Sequence, residues 1–215
     1  SDDRNNDGFK SLKDRADACQ ELKKAGKDKE KFATAACRQW LDVRSFGQVF
    51  AFKGDDVSVG VRGPVSIQSA FSVDPIESSS LQITKSVNSV SGAKKSSDTM
   101  GMKHRVDFGV YVTYGSINCQ LAEKTGFTDE DAEIIKEALC TLFENDCSSA
   151  RPDGSMEVIK LYWWKHNCKN GQYSSAKVHR TLHISKNIET PKDISDYTIN
   201  CDDLSELKPE IYDEY

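Results

Sequence analysis

The residues with the most evident chemistry stand near the start of the stretch TMGMKHRVDFGVYVTYGSIN, residues 99–118. Lys103, His104 and Arg105 follow one another there. An imidazole titrates near neutral pH and can move protons, and two flanking cations can hold an anion. Two roles are open, acid–base cleavage of RNA by His104 or contact with phosphates. The sequence places no second histidine or tyrosine beside His104, so phosphate contact is the favoured interpretation.

The charge distribution is consistent with anion binding. The chain has 215 residues and a net charge of −5, but residues 187–215 hold nine acids and two bases, so the rest sums to +2. Residues 126–146 carry seven acids and one base. A basic groove with an acidic outer surface would show this segregation, and ordinary solvated faces are the alternative. The basic stretch is 82–105, with one acid, Asp98, and five bases: Lys85, Lys94, Lys95, Lys103 and Arg105.

Two further cations lie where a regular element is expected to be interrupted. In DVRSFG, Arg44 and Ser45 stand at a predicted helix-to-strand junction, where a guanidinium, a hydroxyl and backbone N–H groups can meet a phosphate. The alternative is a helix C-terminus with a dipole-matched arginine. Arg62 precedes Gly63-Pro64, a pair that predicts a bulge or an edge within a strand.

Several other kinds of site are disfavoured. His179 and His183 are four apart, but KVHRTLHIS is β-branched and predicts a strand rather than a metal-binding helix face. Seven cysteines without a C-x-x-C pair favour neither disulfides nor zinc. No phosphate-binding glycine loop is present, and we expect no cofactor. Without a long apolar run or a signal peptide, we expect a soluble, cytoplasmic protein with no membrane partner.

The pattern of apolar residues predicts alternating helical and strand segments. We predict helices over 9–26, 29–41 and from Thr128 onward, and strands over 45–52, 57–73, 81–90, 106–118, 156–166 and 176–186. Residues 91–103 are small, polar and cationic and predict a mobile loop. This order fits an α+β, ferredoxin-like fold, the class that includes RNA-recognition domains.

The third helix carries the clearest local signals. Thr128 is placed to cap it, and Asp131 three residues later approximates a capping box. Acids crowd its first turn, where they suit the helix dipole. We expect its buried stripe to consist of Ile134, Ile135, Ala138, Leu139, Leu142 and Phe143.

The ordered set of motifs resembles a known family. It comprises DVRSFGQVF, VRGPVSIQSAFSVDPI, ITKSVN, TMGMKHRVDFGVYVTYGSIN, LAEKTGFTDEDAEIIKEAL, DCSSARPDGSMEV and SDYTIN. Together they resemble the large backbone subunit of the type I-C CRISPR Cascade surveillance complex, a member of the RAMP superfamily. The resemblance runs from about Trp40 to the C-terminal region.

This resemblance implies a modified RNA-recognition-motif palm with a helical finger region and an inserted thumb hairpin. It places the finger at 1–42, palm strands at 43–73, the thumb at 74–104, further palm at 105–186 and an acidic C-terminal tail at 187–215. The subunit would bind without cutting. Copies would form a helical filament along one CRISPR RNA, beside other Cascade subunits, and display the guide in segments for pairing with target DNA.

The resemblance also implies roles for particular residues. Met100 and Met102 would be wedges between bases, since methionine is unbranched and adaptable. The thumb cations would contact RNA together with His104, and Arg44, Ser45 and Arg62 would line the palm. Relatives begin with a strand and a basic helix that are not evident here, so we expect this chain to lack the first palm strand and helix. Relatives often carry an arginine in SAFSVDPI, which has none here, and many carry a basic residue where this chain has Met102, with Arg105 shifted after the histidine.

Two other functions remain open. A ferredoxin-like endoribonuclease could process repeat RNA with His104. A plain interaction module could dock a basic partner with the acidic tail.

Overall fold

The computed structural model describes residues 8–52, 58–85 and 100–213. The chain divides into two compact units that interleave along the sequence. The first comprises Ser1–Ile67, Gly115–Val178 and Asp203–Tyr215, and the second comprises Gln68–Tyr114 and His179–Asp202. These units do not follow the five segments expected from the sequence, and that five-part division stays a prediction.

Helices and strands alternate through the described ranges. The helices are α1 Leu12–Ala18, α2 Gln20–Ala25, α3 Lys29–Gln39, α4 Leu41–Phe46, α5 Cys119–Thr125, α6 Asp129–Cys140 and α7 Ser175–His179. The strands are β1 Gly47–Phe50, β2 Val59–Arg62, β3 Val65–Ile67, β4 Phe71–Ser72, β5 Ser78–Thr84, β6 Met100–Val106, β7 Tyr111–Val112, β8 Gly115–Ile117, β9 Lys160–Trp163, β10 Leu182–Lys186, β11 Tyr197–Cys201 and β12 Glu210–Asp213.

The core of the first unit lies between its N-terminal helices and the β1–β2 pair. Phe50 is 1% exposed. Its ring meets that of Phe32 edge-on, with the ring centroids 5.3 Å apart, and stacks on that of Trp40, with the centroids 6.1 Å apart. Such aromatic pairs add stabilisation beyond the apolar area they bury. The buried members of this cluster are Ala16, Leu22, Ala36, Cys37, Val43, Phe50 and Val59.

The first predicted helix is wrong as a single element, because Cys19 adopts an extended conformation between α1 and α2. Ala16 and Leu22 are six residues apart, so a continuous helix would point them about 120° away from each other. The break allows both to enter the same core cluster. DVRSFG was expected to end the second helix, but a short break at Trp40 is followed by α4.

The predicted strand over 106–118 is also wrong, because it is three short strands with different partners. β6 pairs with β5, β7 with β4 and β8 with β3, all antiparallel. The pairs Phe71–Val112 and Ser78–Val106 are seven residues apart on the β4–β5 side and six residues apart on the β6–β7 side. The extra residue is a bulge-like interruption that shifts the register. The strict alternation therefore reflected extended backbone but not one uninterrupted strand.

The α+β class is confirmed, although the sheet arrangement is simpler than expected. Among the described residues every sheet has two strands. A ferredoxin-like palm needs a larger sheet, so the ferredoxin-like, RNA-recognition-motif and finger details stay predictions. The interruption predicted at Gly63-Pro64 is confirmed, since β2 pairs with β1 on one side of it and β3 with β8 on the other.

The acidic segment 187–215, which the resemblance assigns to a C-terminal tail, contains two strands. It contributes β11, which pairs with β10, and β12, which pairs with β9. The strand predicted over 176–186 holds only for its second half, because α7 occupies 175–179. Within residues 8–52, 58–85 and 100–213, no helix is long and apolar enough to cross a membrane.

The capping of α6 is confirmed, but its buried stripe is only partly correct. Thr128 and Asp131 form the full capping box. Ile135 is buried as expected, whereas Ile134 and Leu142 are 46% and 52% exposed. The buried face instead includes two charged residues, Asp131 and Lys136, each held by an oppositely charged partner.

Candidate nucleic-acid interface

The second unit presents a two-stranded hairpin formed by β5 and β6. Seven residue pairs join the strands, from Ser78 opposite Val106 to Thr84 opposite Met100. All residues of β6, and all but Ser79 of β5, are exposed. Met100–Lys103 were predicted to lie in a mobile loop and are strand instead. Because directly opposed residues share a face, the register assigns each side chain to one of two faces.

The first face, called here the cationic face, consists of Ser79, Leu81, Ile83, Gly101, Lys103 and Arg105. Leu81 and Ile83 are 48% and 52% exposed and occupy one row, while Lys103 and Arg105 occupy the other. Arg105 pairs with Asp107 at 2.7 Å and donates to Ser79 Oγ at 3.3 Å. Both members of that ion pair are more than half exposed, so a polyanion can compete for the guanidinium.

The second face, called here the methionine face, consists of Ser78, Ser80, Gln82, Thr84, Met100, Met102, His104 and Val106. The Ser80 hydroxyl and His104 Nδ1 lie 2.7 Å apart, and the Gln82 amide donates to the Met100 sulfur. Met100 and Met102 are 63% and 56% exposed. The predicted site residues 100–105 are therefore brought together in one hairpin but divided between its two sides.

The base of the hairpin is anchored to β10 and β11 within the same unit. The Tyr197 hydroxyl donates to Asp74 Oδ2 at 2.9 Å, and Lys186 Nζ lies 3.7 Å from the other oxygen of that carboxylate. Burial and the adjacent Asp74 carboxylate raise the pKa of Tyr197 to about 12, because both disfavour the phenolate. The Tyr197 ring also contacts Phe108 at 6.3 Å. These contacts hold the base of the hairpin, from which the exposed strands β5 and β6 extend.

Arg44 and Ser45 lie apart from any exposed anion site. Arg44 is in the last turn of α4, as the dipole alternative proposed, and donates from Nε and Nη2 to the two oxygens of Asp131 at 2.8 and 2.6 Å. These hydrogen bonds lower the pKa of Asp131 and raise that of Arg44. Ser45 is fully buried. The arrangement joins α4 to the start of α6, and the Arg44 guanidinium, whose side chain is 23% exposed, is occupied by Asp131.

The other predicted cations are placed differently. Arg62 is exposed at the end of β2, opposite Gly47. Lys85 is half-buried one residue beyond β5. Lys94 and Lys95 lie outside the described residues. His179 and His183 are not on one helix face: His179 stacks on Tyr114 at 4.7 Å, and His183 bonds Asp202 at 2.9 Å.

Sequence reasoning missed the contribution of β5 to this surface. Leu81 and Ile83 were assigned to a short strand without a partner, and Ser80 and Gln82 were given no role. The alternation of SSSLQIT with MGMKHRV, separated by residues 85–99 that are rich in serine and lysine, was the available signal for a hairpin.

Comparison with known proteins gives the family. A family model described as CRISPR-associated protein Cas7 matches residues 3–202, nearly the whole chain, so the chain belongs to this family. Membership implies a crRNA-binding backbone subunit of a CRISPR effector, with crRNA and other Cascade components as its partners. A search of curated proteins finds no match.

Proposed function

We propose that this chain is the guide-RNA-binding backbone subunit of a type I-C Cascade and that the β5–β6 hairpin is its thumb. The observation that carries the proposal is the cationic face, an exposed strand pair with Lys103 and Arg105 in one row. It belongs to a chain of the CRISPR-associated protein Cas7 family.

The cationic face suits a ribose-phosphate chain without regard to base sequence. Lys103 and Arg105 are two residues apart, so their side chains repeat about 6.6 Å along the strand. That spacing is close to the distance between successive phosphates of an extended strand. Leu81 and Ile83 in the neighbouring row offer apolar surface to sugars or bases. Such binding is mainly electrostatic and weakens steeply with salt.

The same proposal includes assembly and target recognition. Copies of the chain would line one CRISPR RNA as a filament, and each thumb would divide the guide into segments that pair with target DNA. Met100 and Met102 are the candidate wedges, since both are exposed and adjacent in one row. Unbranched, polarizable side chains adapt to irregular apolar surfaces such as base edges.

We propose that the subunit binds RNA without cleaving it. His104 shares its face with hydroxyl, amide and apolar side chains, and the methionine face carries no second imidazole and no carboxylate or amine. Lys103 and Arg105 are on the opposite face. Acid–base cleavage of RNA needs a second proton-transfer group or a cation near the scissile phosphate, and this arrangement favours binding over the endoribonuclease alternative.

The binding proposal is tested with Lys103→Ala/Arg105→Ala and a fluorescein-labelled single-stranded RNA titrated at several salt concentrations. Each lost phosphate contact should reduce the slope of log K against log salt by about 0.7, so the double variant should lose about 1.4. Lys165→Ala/Lys169→Ala removes the same charge from exposed positions and is the matched control. An unchanged affinity and slope in the first variant would refute the assignment.

The absence of catalysis is tested by incubating the protein with repeat-containing RNA in EDTA. We expect intact RNA for the wild type and for His104→Ala. Sequence-specific cleavage that is lost in His104→Ala would establish the endoribonuclease alternative instead.

A further inference from the structure

The hairpin base, defined here as residues 74–77 and 107–109, belongs to no strand. On one side of it the Val73 N–H donates to the Val110 carbonyl at 2.8 Å, and on the other side Ser78 is opposite Val106. The two stretches differ in length by one residue, so the ladder cannot continue through them in register. Backbone pairing therefore does not fix the direction in which β5 and β6 leave β4 and β7, and side chains must do so.

One tyrosine contacts both sides of the hairpin base. The Tyr197 hydroxyl donates to Asp74 at 2.9 Å, and its ring lies against that of Phe108 across the base, with the ring centroids 6.3 Å apart. Lys186 is opposite Tyr197 in the β10–β11 register, and its ammonium lies 3.7 Å from the second oxygen of Asp74. Because directly opposed residues share a face, one face of the β10–β11 pair holds the hairpin base.

The Asp74 carboxylate makes this contact directional. Its two oxygens have different partners, a hydroxyl and an ammonium, so the plane of the carboxylate is constrained as well as its position. Its side chain is 24% exposed and Tyr197 is half-buried, so water competes only weakly for the hydrogen bond. A hydrogen bond to a charged acceptor is also stronger than one between neutral groups. Rotation of the hairpin about its base would break this bond.

A small rotation at the base is large at the cationic face. Lys103 is opposite Leu81, three pairs beyond the pair Ser78–Val106. It therefore lies about 10 Å along the strand from the base, and a rotation of about 20° displaces it by about 3.5 Å, more than the length of a hydrogen bond. The orientation of the hairpin thus decides whether its cations meet a phosphate.

We propose that Asp74 and Tyr197 are positioning residues for RNA binding, which hold the hairpin in the orientation that presents Lys103 and Arg105 to the RNA backbone. The inference rests on the proposed function, because it requires the hairpin to be the RNA-binding element. The two residues act through the hairpin and do not contact RNA themselves. Without their hydrogen bond only a fraction of the hairpins has the binding orientation, and the apparent affinity falls in proportion to that fraction.

The test compares Asp74→Asn, Tyr197→Phe and the double variant in titrations of fluorescein-labelled oligouridine at several salt concentrations. Asparagine has the size of aspartate, and phenylalanine keeps the ring that packs on Phe108, so the variants should fold. Urea unfolding monitored by circular dichroism checks this for each variant. Tyr197→Phe decides alone if Asp74→Asn is unfolded.

Two matched controls make the same chemical changes elsewhere. Asp202→Asn removes a carboxylate that is 67% exposed and bonded to His183, within the same compact unit. Tyr212→Phe removes a hydroxyl that donates to Glu210 at 2.8 Å. Both controls should bind RNA at least as well as the wild type.

Each variant should bind RNA at least about fivefold more weakly than the wild type. For Asp74→Asn this is opposite to the effect of charge alone, since removal of an acid near a polyanion strengthens binding. The slope of log K against log salt should stay within about 0.3 of the wild-type slope, because the bound state keeps both phosphate contacts. The double variant should bind as weakly as Asp74→Asn, because the two substitutions disrupt one hydrogen bond.

Stopped-flow mixing separates positioning from direct contact. A smaller fraction of competent hairpins lowers the association rate and leaves the dissociation rate unchanged, whereas loss of a contact mainly raises the dissociation rate. We therefore expect the loss of affinity to appear in the association rate. A salt slope reduced by about 0.7 or more, the value of one phosphate contact, would overturn the proposal, as would a loss confined to the dissociation rate.

The wild-type titration distinguishes failure of this inference from failure of the proposed function. No RNA binding by the wild type would refute the proposed function and the positioning role together. Wild-type binding with variants that bind as well as the two controls would overturn the positioning role alone.

Discussion

Arg44 has a partner 87 residues away, the carboxylate of Asp131. That carboxylate accepts three hydrogen bonds, two from Nε and Nη2 on one edge of the guanidinium and one from the Thr128 N–H at the start of α6. Its side chain is 4% exposed, so few of these bonds can be replaced by water. A residue chosen from the sequence as a phosphate ligand is thus a connection between two helices. Nothing in the local pattern of DVRSFG distinguishes these roles.

Asp131→Asn should destabilise the protein by roughly 1–3 kcal/mol, since it leaves a largely buried guanidinium without its counter-charge. Urea unfolding monitored by circular dichroism measures this. Asp107→Asn removes the partner of Arg105 from a pair that is more than half exposed and should change stability by less than about 0.5 kcal/mol. Equal effects of the two substitutions would show that the Arg44–Asp131 pair is not a stabilising contact.

The same pair makes a prediction about acid. Hydrogen bonds from Arg44 lower the pKa of Asp131 in the folded state below the value of about 3.9 for an unfolded aspartate. Because the folded pKa is the lower one, the ionised Asp131 carboxylate stabilises the fold fully above the unfolded pKa. This stabilisation is lost as pH falls through the folded pKa. The stability difference between wild type and Asp131→Asn should therefore be constant from pH 7 to about 5 and shrink below about 4. Urea titrations at pH 7, 5 and 3 measure it, and a difference that grows with acid would contradict the argument.

At the scale of elements, the hairpin shows why exposed strands are hard to predict. Helix α6 was located from its cap and periodicity because a buried face imposes an apolar repeat. β6 has no buried residue, so no apolar repeat was required and MGMKHRV resembled a loop. Conversely, residues 106–118 alternate strictly yet change partner twice. Alternation reports extended backbone, whereas the partner of each strand depends on distant residues.

The junction between β2 and β3 provides a prediction at this scale. A Cβ on Gly63 would lie 2.2 Å from the carbonyl oxygen of Ser45 and 2.5 Å from the carbonyl carbon of Phe46, both backbone atoms at the end of α4. Gly63→Ala should therefore cost at least about 1–3 kcal/mol, because backbone must move. A Cβ on Gly60, in β2, meets nothing within 4 Å, so Gly60→Ala is the matched control and should be near neutral. Thermal unfolding compares them, and similar melting temperatures would show that α4 does not pack against this junction.

For the whole molecule, the sequence was most informative where interactions are local. The α+β class, the cap of α6 and the interruption at Gly63-Pro64 each depend on a few neighbouring residues, and all three are confirmed. The interleaving of the two units, the pairing of β5 with β6, and the pairing of β9 with β12 depend on contacts across tens of residues. Net charge and apolar periodicity could not predict these features, because neither quantity says which distant residues are in contact.

The acidic C-terminal segment yields the last prediction. Truncation after Lys186 would remove β11, the partner of β10, and β12, the partner of β9, and with β12 the Glu210 carboxylate that holds Lys136 at 3.0 Å. Both compact units lose a strand, so the truncated chain should lose cooperative urea unfolding and become sensitive to limited proteolysis. Glu189→Gln/Asp203→Asn reduces the negative charge at exposed positions while keeping the strands, and should unfold like wild type. If the truncated chain unfolded as cooperatively as that control, the segment would be a dispensable tail, and docking of a basic partner through its charge would become the better account. Loss of cooperative unfolding in the truncated chain but not in the control would show that the acidic residues of the segment belong to strands that the fold requires.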